Sequence, residues 1–167
     1  PYPLNHNLRN TKSIFNSLSP FYNGDTEYCN NPKGHSIIID KSSGNLFKEI
    51  EKKINTLIII EKIKSKDITV LTSSSIENSI FSDKEVIAGY QIKRIEDRDD
   101  ASIVIDSIFR FKGLESNVVI FVCDNNSINI DEVMYVALSR AKLLLHIIVE
   151  THEAKILMQN LINKSSN

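Results

Sequence analysis

Hydrophobic residues fall along this chain in two textures: short, nearly uninterrupted runs, and longer stretches where they recur every three or four positions. The first texture marks ITVLT (68–72), ASIVIDSI (101–108), VVIFVC (118–123) and LLLHIIVE (143–150), with SIIID (36–40) as an earlier strand candidate. Runs this short and apolar fit strands covered on both faces, as in a parallel sheet. The second texture runs from Leu46 to about Lys64, where Phe47, Ile50, Ile54, Leu57, Ile58 and Ile63 keep helical spacing with Lys and Glu between them. That is an amphipathic helix. Thr11 can cap a further helix over 12–19 that ends near Pro20, and the stretch 20–34, rich in Asn, Gly and Pro, reads as loop. IDEVMYVALSRAK (130–142) predicts a helix with acids at its start and bases at its end, which complements the helix dipole. A closing helix follows over 151–163. Strands alternating with helices imply a parallel α/β sandwich, in which ligands are expected at the carboxyl ends of the strands.

Composition narrows this picture only slightly. The chain has 167 residues, the size of one domain, with 41% hydrophobic and 25% charged residues, as in ordinary globular proteins. No apolar run approaches the ~20 residues of a membrane span, and no leader-like segment opens the chain, so the expectation is a cytoplasmic protein with no membrane partner. Cys29 and Cys123 form neither a disulfide framework nor a zinc ligand set, and His6, His35, His146 and His152 are scattered, so no metal site is expected. Net charge is −1, so any nucleic acid contact must be local or shared with another domain. The sequence begins at Pro1 without an initiator Met, only three residues before its first motif-like string, and reads as a fragment of a longer protein.

Three strings carry a family resemblance. LNHNLRNT (4–11), SIFRFKGLESNVVIF (107–121) and YVALSRA (135–141) resemble, in order and spacing, motifs IV, V and VI of the second motor domain of UvrD/Rep-like superfamily 1 DNA helicases. The resemblance runs from Leu4 to about Glu150. It implies a RecA-like three-layer α/β sandwich with a mainly parallel sheet, a single C-terminal motor domain over 1–167. Only about 35 residues separate Thr72 from Ser107, so no large insertion domain is expected. Two positions depart from the family: Leu8 stands where an adenine-stacking aromatic is usual, and Phe109 where many members have His.

A phosphate-binding loop needs two glycines five apart followed by Lys and Ser or Thr. Adding five to each glycine lands on Cys29, Ile39, Glu49, Arg94 and Val118, so this chain has no such loop. Without one, Asp124 after VVIFVC reads as a strand-end turn residue rather than a magnesium ligand. The resemblance therefore implies that ATP and Mg²⁺ are bound mainly by an N-terminal RecA-like domain of the same parent chain.

Within the resemblance, Arg9 and Arg140 become arginine fingers, guanidiniums that neutralise charge building on the γ-phosphate during phosphoryl transfer. At roughly 100° per residue, Arg140 borders the apolar stripe of Val133, Met134, Ala137, Leu138 and Ala141, a position that can line a cleft; the alternative is a surface arginine at a helix edge. For Arg9 the alternative is a loop arginine paired with Asp25 or Glu27. Asn7, Gly113 and Glu115 are implied as ATP-binding, with Gly113 allowing a turn that a side chain would obstruct. Ser107, Phe109, Arg110 and Lys112 are implied as nucleic-acid-binding, since a hydroxyl, a ring and cations suit the phosphates and base faces of single-stranded DNA. A Phe ending an apolar strand is otherwise a core residue. The function implied is the second motor domain of an ATP-dependent helicase, inactive without the missing domain. The other reading is a non-catalytic helicase-like interaction module.

Overall fold

The computed structural model of the chain describes residues 9–18, 29–123 and 130–163. Asn7, Leu8, Asp25, Glu27 and Asp124 lie outside the described residues, as does most of the 20–34 loop. The described elements run α1 (Lys12–Leu18), β1 (Ile38–Lys41), α2 (Leu46–Asn55), β2 (Ile68–Thr72), β3 (Val86–Ile87), β4 (Tyr90–Lys93), β5 (Ser102–Ser107), β6 (Ser116–Cys123), α3 (Ile130–Arg140), β7 (Ala141–Val149) and α4 (His152–Asn163). Seven strands form one sheet in the order β1-β7-β6-β2-β5-β4-β3, parallel throughout except for the antiparallel pair β3–β4.

Uninterrupted apolar runs mark the central strands because both faces of the sheet are covered. Side chains alternate along a strand, and β6 shows it: Val119, Phe121 and Cys123 join one core with α1, α3 and α4, while Val118, Ile120 and Val122 join a second core under α2. Helices thus lie on both faces, giving the three-layer α/β sandwich expected. Among the described residues no helix is long and apolar enough to cross a membrane. Cys29 and Cys123 are both buried and are not disulfide-bonded.

Three local expectations change. The helix from Leu46 does not reach Lys64 as one α-helix. It passes after Asn55 into a π turn over Thr56–Ile60, where the Glu61 N–H bonds the Thr56 carbonyl at 3.2 Å and the Ile63 N–H bonds that of Leu57 at 3.0 Å. The run Thr56-Leu-Ile-Ile-Ile is dense in β-branched residues, which crowd a helical turn, and Lys62 then turns left-handed at φ 59°. Thr11 precedes α1 but does not cap it through its hydroxyl, which is buried without a hydrogen-bond partner. The N–H groups of Lys12 and Ser13 instead donate to the carbonyls of Pro32 and Lys33 at 3.0 and 2.9 Å, so the first turn already has its acceptors. Finally, β3 and β4 form a two-residue hairpin that the apolar pattern does not announce. Its turn residues Ala88 and Gly89 both have positive φ, 53° and 81°, as a type I′ turn requires.

Candidate nucleotide-facing site

α3 runs into β7 with no intervening loop, which puts Arg140 at the junction and at the amino end of the sheet. Residues 9–11 are stapled to the same place: the Asn10 side-chain amide donates to the Ala141 carbonyl at 2.6 Å, and the Thr11 N–H to that of Lys142 at 2.9 Å. Glu115, the residue before β6, completes the group. Its carboxylate pairs with the Arg9 guanidinium and lies 3.2 Å from Lys142 Nζ. Arg140 Nη1 donates to the Leu114 carbonyl at 3.0 Å, while its Nε is buried with no partner. Burial, and after it the nearby Arg9 charge, hold the Arg140 guanidinium below its usual pKa, with Glu115 opposing. Two cations therefore pair with one carboxylate, and a third, Arg140, lies within its field. Beside them a hollow of about 190 Å³ is lined by Lys66, Asp67, Glu115, Ser116, Asn117 and Lys142, among others.

This cluster sits at the amino ends of β6 and β7, whereas the general rule for parallel sheets placed a ligand at the carboxyl ends. The reason is connectivity. Both arginines belong to segments that lead into β7 or are bonded to its start, so they cannot reach the carboxyl end.

The segment between β5 and β6 links the two ends of the sheet. Ser107 closes β5 at the carboxyl end, and Glu115 precedes β6 at the amino end, roughly 20 Å away at ~3.3 Å per residue of strand. Successive turns fill the gap, with the Arg110, Phe111 and Leu114 N–H groups bonded to the carbonyls of Ser107, Ser107 and Phe111. Gly113 sits at φ 86°, and a Cβ there would meet nothing within 4 Å, so backbone conformation alone selects glycine. Phe109 is 53% exposed and is not a core residue; the core position is Phe111, two residues on. Ser107 is buried, and its hydroxyl accepts the Arg110 N–H at 3.4 Å. Arg110 pairs with Glu96 and, at 3.4 Å, with Asp106. Lys112 is exposed.

The structure thus brings Arg9, Glu115 and Arg140 together and keeps Ser107, Phe109 and Arg110 apart from them. Two residues of these groups escape a reading of the sequence. Lys142 looked like a helix-end cation and instead opens β7 beside Glu115. Asp106, inside the apolar run 101–108, is fully buried and accepts the N–H groups of Ser107 and Ile95 at 2.8 and 3.2 Å. An acid within an uninterrupted apolar run was the available signal.

A mostly parallel sheet of this order with helices on both faces defines a RecA-like α/β domain, with arginines from distant segments gathered at its amino end. The chain belongs to the viral superfamily 1 RNA helicase core domain family, whose model matches residues 5–149. Among solved structures it is similar to the C-terminal domain of a possible DNA helicase from Lactobacillus plantarum WCFS1. The identity is 18%, the TM-score 0.58, and the match covers 85% of this chain and 86% of that one, a likeness of fold. No curated protein matches the chain.

Proposed function

We propose that this chain is the second RecA-like motor domain of an ATP-dependent superfamily 1 helicase of the UvrD/Rep-like kind, acting on single-stranded DNA with an N-terminal RecA-like domain of the same parent. The observation that carries the reading is the convergence of Arg9, Glu115 and Arg140 at the amino end of the sheet. Such a cluster fits a polyphosphate: Arg140 Nε is a buried donor without an acceptor, and a phosphate oxygen would supply one. ATP bound there with Mg²⁺, held mainly by the first domain, would supply the phosphoryl group whose transfer drives translocation. Arg9 and Arg140 bind and neutralise the phosphate oxygens. Glu115 offsets the mutual repulsion of the cations until the phosphates arrive, and Gly113 holds the turn that leads to it. At the other end of the sheet, Phe109, Arg110 and Lys112 offer a ring and cations to the strand, with Ser107 holding the turn beneath them.

The test uses the parent protein with its phosphate-loop domain. Arg140→Ala should lower kcat by about 10³-fold or more while ATP affinity changes less, because the guanidinium favours the transition state over bound ATP. Arg140→Lys should rescue poorly, since an ammonium lacks the planar fork. A denaturant melt of the same variants should show a loss of only about 1 kcal/mol, one hydrogen bond to Leu114. Near-wild-type turnover, or activity lost only in step with stability, makes Arg140 structural. Competition between DNA and RNA single strands for the same protein separates the two nucleic acids.

A further inference from the structure

Along α2, two surface hollows of about 380 Å³ each lie side by side and share Lys52 and Thr56, the first reaching past β1 to Lys155 in the first turn of α4. The first is lined by Lys41, Lys52, Lys53 and Lys155, with Asp40, Glu49 and the buried His146. Both of its carboxylates are engaged internally. Asp40 Oδ2 lies 2.7 Å from His146 Nε2, and Glu49 Oε1 accepts the Ser43 N–H and hydroxyl at 2.8 and 2.6 Å. The four ammonium groups have no ion-pair partner among the described residues. The second hollow ends on Ile59 and Ile60, 61% and 72% exposed on the π turn.

We infer that this face of α2 is a docking surface for an acidic, aliphatic segment of a partner protein, its carboxylates over Lys41, Lys52, Lys53 and Lys155 and its apolar side chains on Ile59 and Ile60. Charge complementarity selects the acidic character, because four lysines face two carboxylates that are already hydrogen-bonded within the chain, which leaves the hollow net positive. Adjacency selects the aliphatic character. Two neighbouring isoleucines left in water are a cost that a partner removes, and the helical turn that presents them is continuous with the lysine-bearing turns of α2. Nucleic acid fits less well: it would use the lysines, but among the residues lining either hollow the one ring is the imidazole of His146, which is buried, so bases find no exposed ring to stack on. The surface lies across the sheet from α3, whose last residue is Arg140, so it can be occupied while the arginine cluster at the amino end is engaged.

The experiment titrates the full 167-residue chain with a labelled amphipathic peptide of about 15 residues carrying Leu on one helical face and Glu on the other. Fluorescence anisotropy gives affinity, and amide shift mapping gives location. Shifts should centre on Lys52, Thr56, Ile59 and Ile60. Ile59→Asp with Ile60→Asp should weaken binding about tenfold or more, and Lys52→Glu with Lys53→Glu by a similar factor. Ile60→Ser alone should act in the same direction, and thermal melts of all variants should match the parent. An all-Glu peptide should bind much more weakly than the Leu/Glu peptide. The inference is overturned by unchanged affinity in the folded isoleucine variants or by shifts mapping elsewhere. It is equally overturned if a single-stranded oligonucleotide takes the surface in a way that needs the lysines and not the isoleucines.

Discussion

His146 shows how much a single side chain on a central strand can carry. Burial is the largest influence on its imidazole and lowers its pKa below 6.5; the bond to Asp40 pulls the other way, and the Lys53 charge adds to the lowering. A lowered native pKa means that the unfolded chain binds the proton more readily. The contribution of His146 is therefore intact above about pH 6.5 and is lost as pH falls from there through the native pKa, below which it levels off. Urea midpoints at about pH 7.5 and about pH 5.5 should show a drop in the parent chain that is smaller in His146→Gln; an equal drop in both would mean that other groups carry it. Phe109 is the reverse case. Its ring is half exposed, so Phe109→Ala should leave the unfolding free energy within about 0.5 kcal/mol while weakening single-strand binding by about 1–3 kcal/mol. Loss of stability without loss of binding would return Phe109 to a structural role.

At the level of elements, two glycines separate two kinds of constraint. Gly34 has φ 68°, and a Cβ there would come within 2.5 Å of the Thr11 side chain, in the segment whose Pro32 and Lys33 carbonyls start α1. Gly89 has φ 81° in the β3–β4 turn, and a Cβ there meets nothing within 4 Å. Gly89→Ala should therefore cost about 1 kcal/mol from backbone strain alone. Gly34→Ala adds a steric clash and should cost more, about 2–3 kcal/mol, with the start of α1 and the neighbouring Arg9 displaced. Chemical denaturation of both variants ranks them, and equal losses would show that contact with Thr11 is relieved by a small shift. The elements themselves were largely legible: ITVLT is β2 as read, and the runs at 101–108, 118–123 and 143–150 each hold a strand within two residues of its expected ends. Those strands are covered on both faces, and double burial leaves its mark on every position. The β3–β4 hairpin was missed because its strands are only two and four residues long and end the sheet at β3, and of their six side chains only that of Ile87 is fully buried, too few to set up a pattern.

For the molecule as a whole, the proposed division of labour predicts that this chain alone turns over no ATP, since it has no phosphate-binding loop, and that it binds single strands weakly with a steep salt dependence. Phosphate release at or below a buffer blank, and titrations at two salt concentrations, check both. Strand-stimulated turnover, or tight binding that survives high salt, would instead favour a self-sufficient module. Sequence by itself determined the layer architecture, because helical and uninterrupted apolar patterns each have one way to bury their faces. It also supplied the three strings that contain Arg9, Glu115 and Arg140. What the tertiary structure decided is which of those residues meet. Arg9 and Glu115 stand 106 positions apart, and their pairing depends on the staple of residues 10 and 11 to the start of β7 and on the order β7-β6 in the sheet. The entry of Lys142, the burial of Asp106 and the amino-end location have the same origin. Each is a contact between segments distant along the chain, and local patterning records whether a side chain is buried, not which neighbour it is buried against.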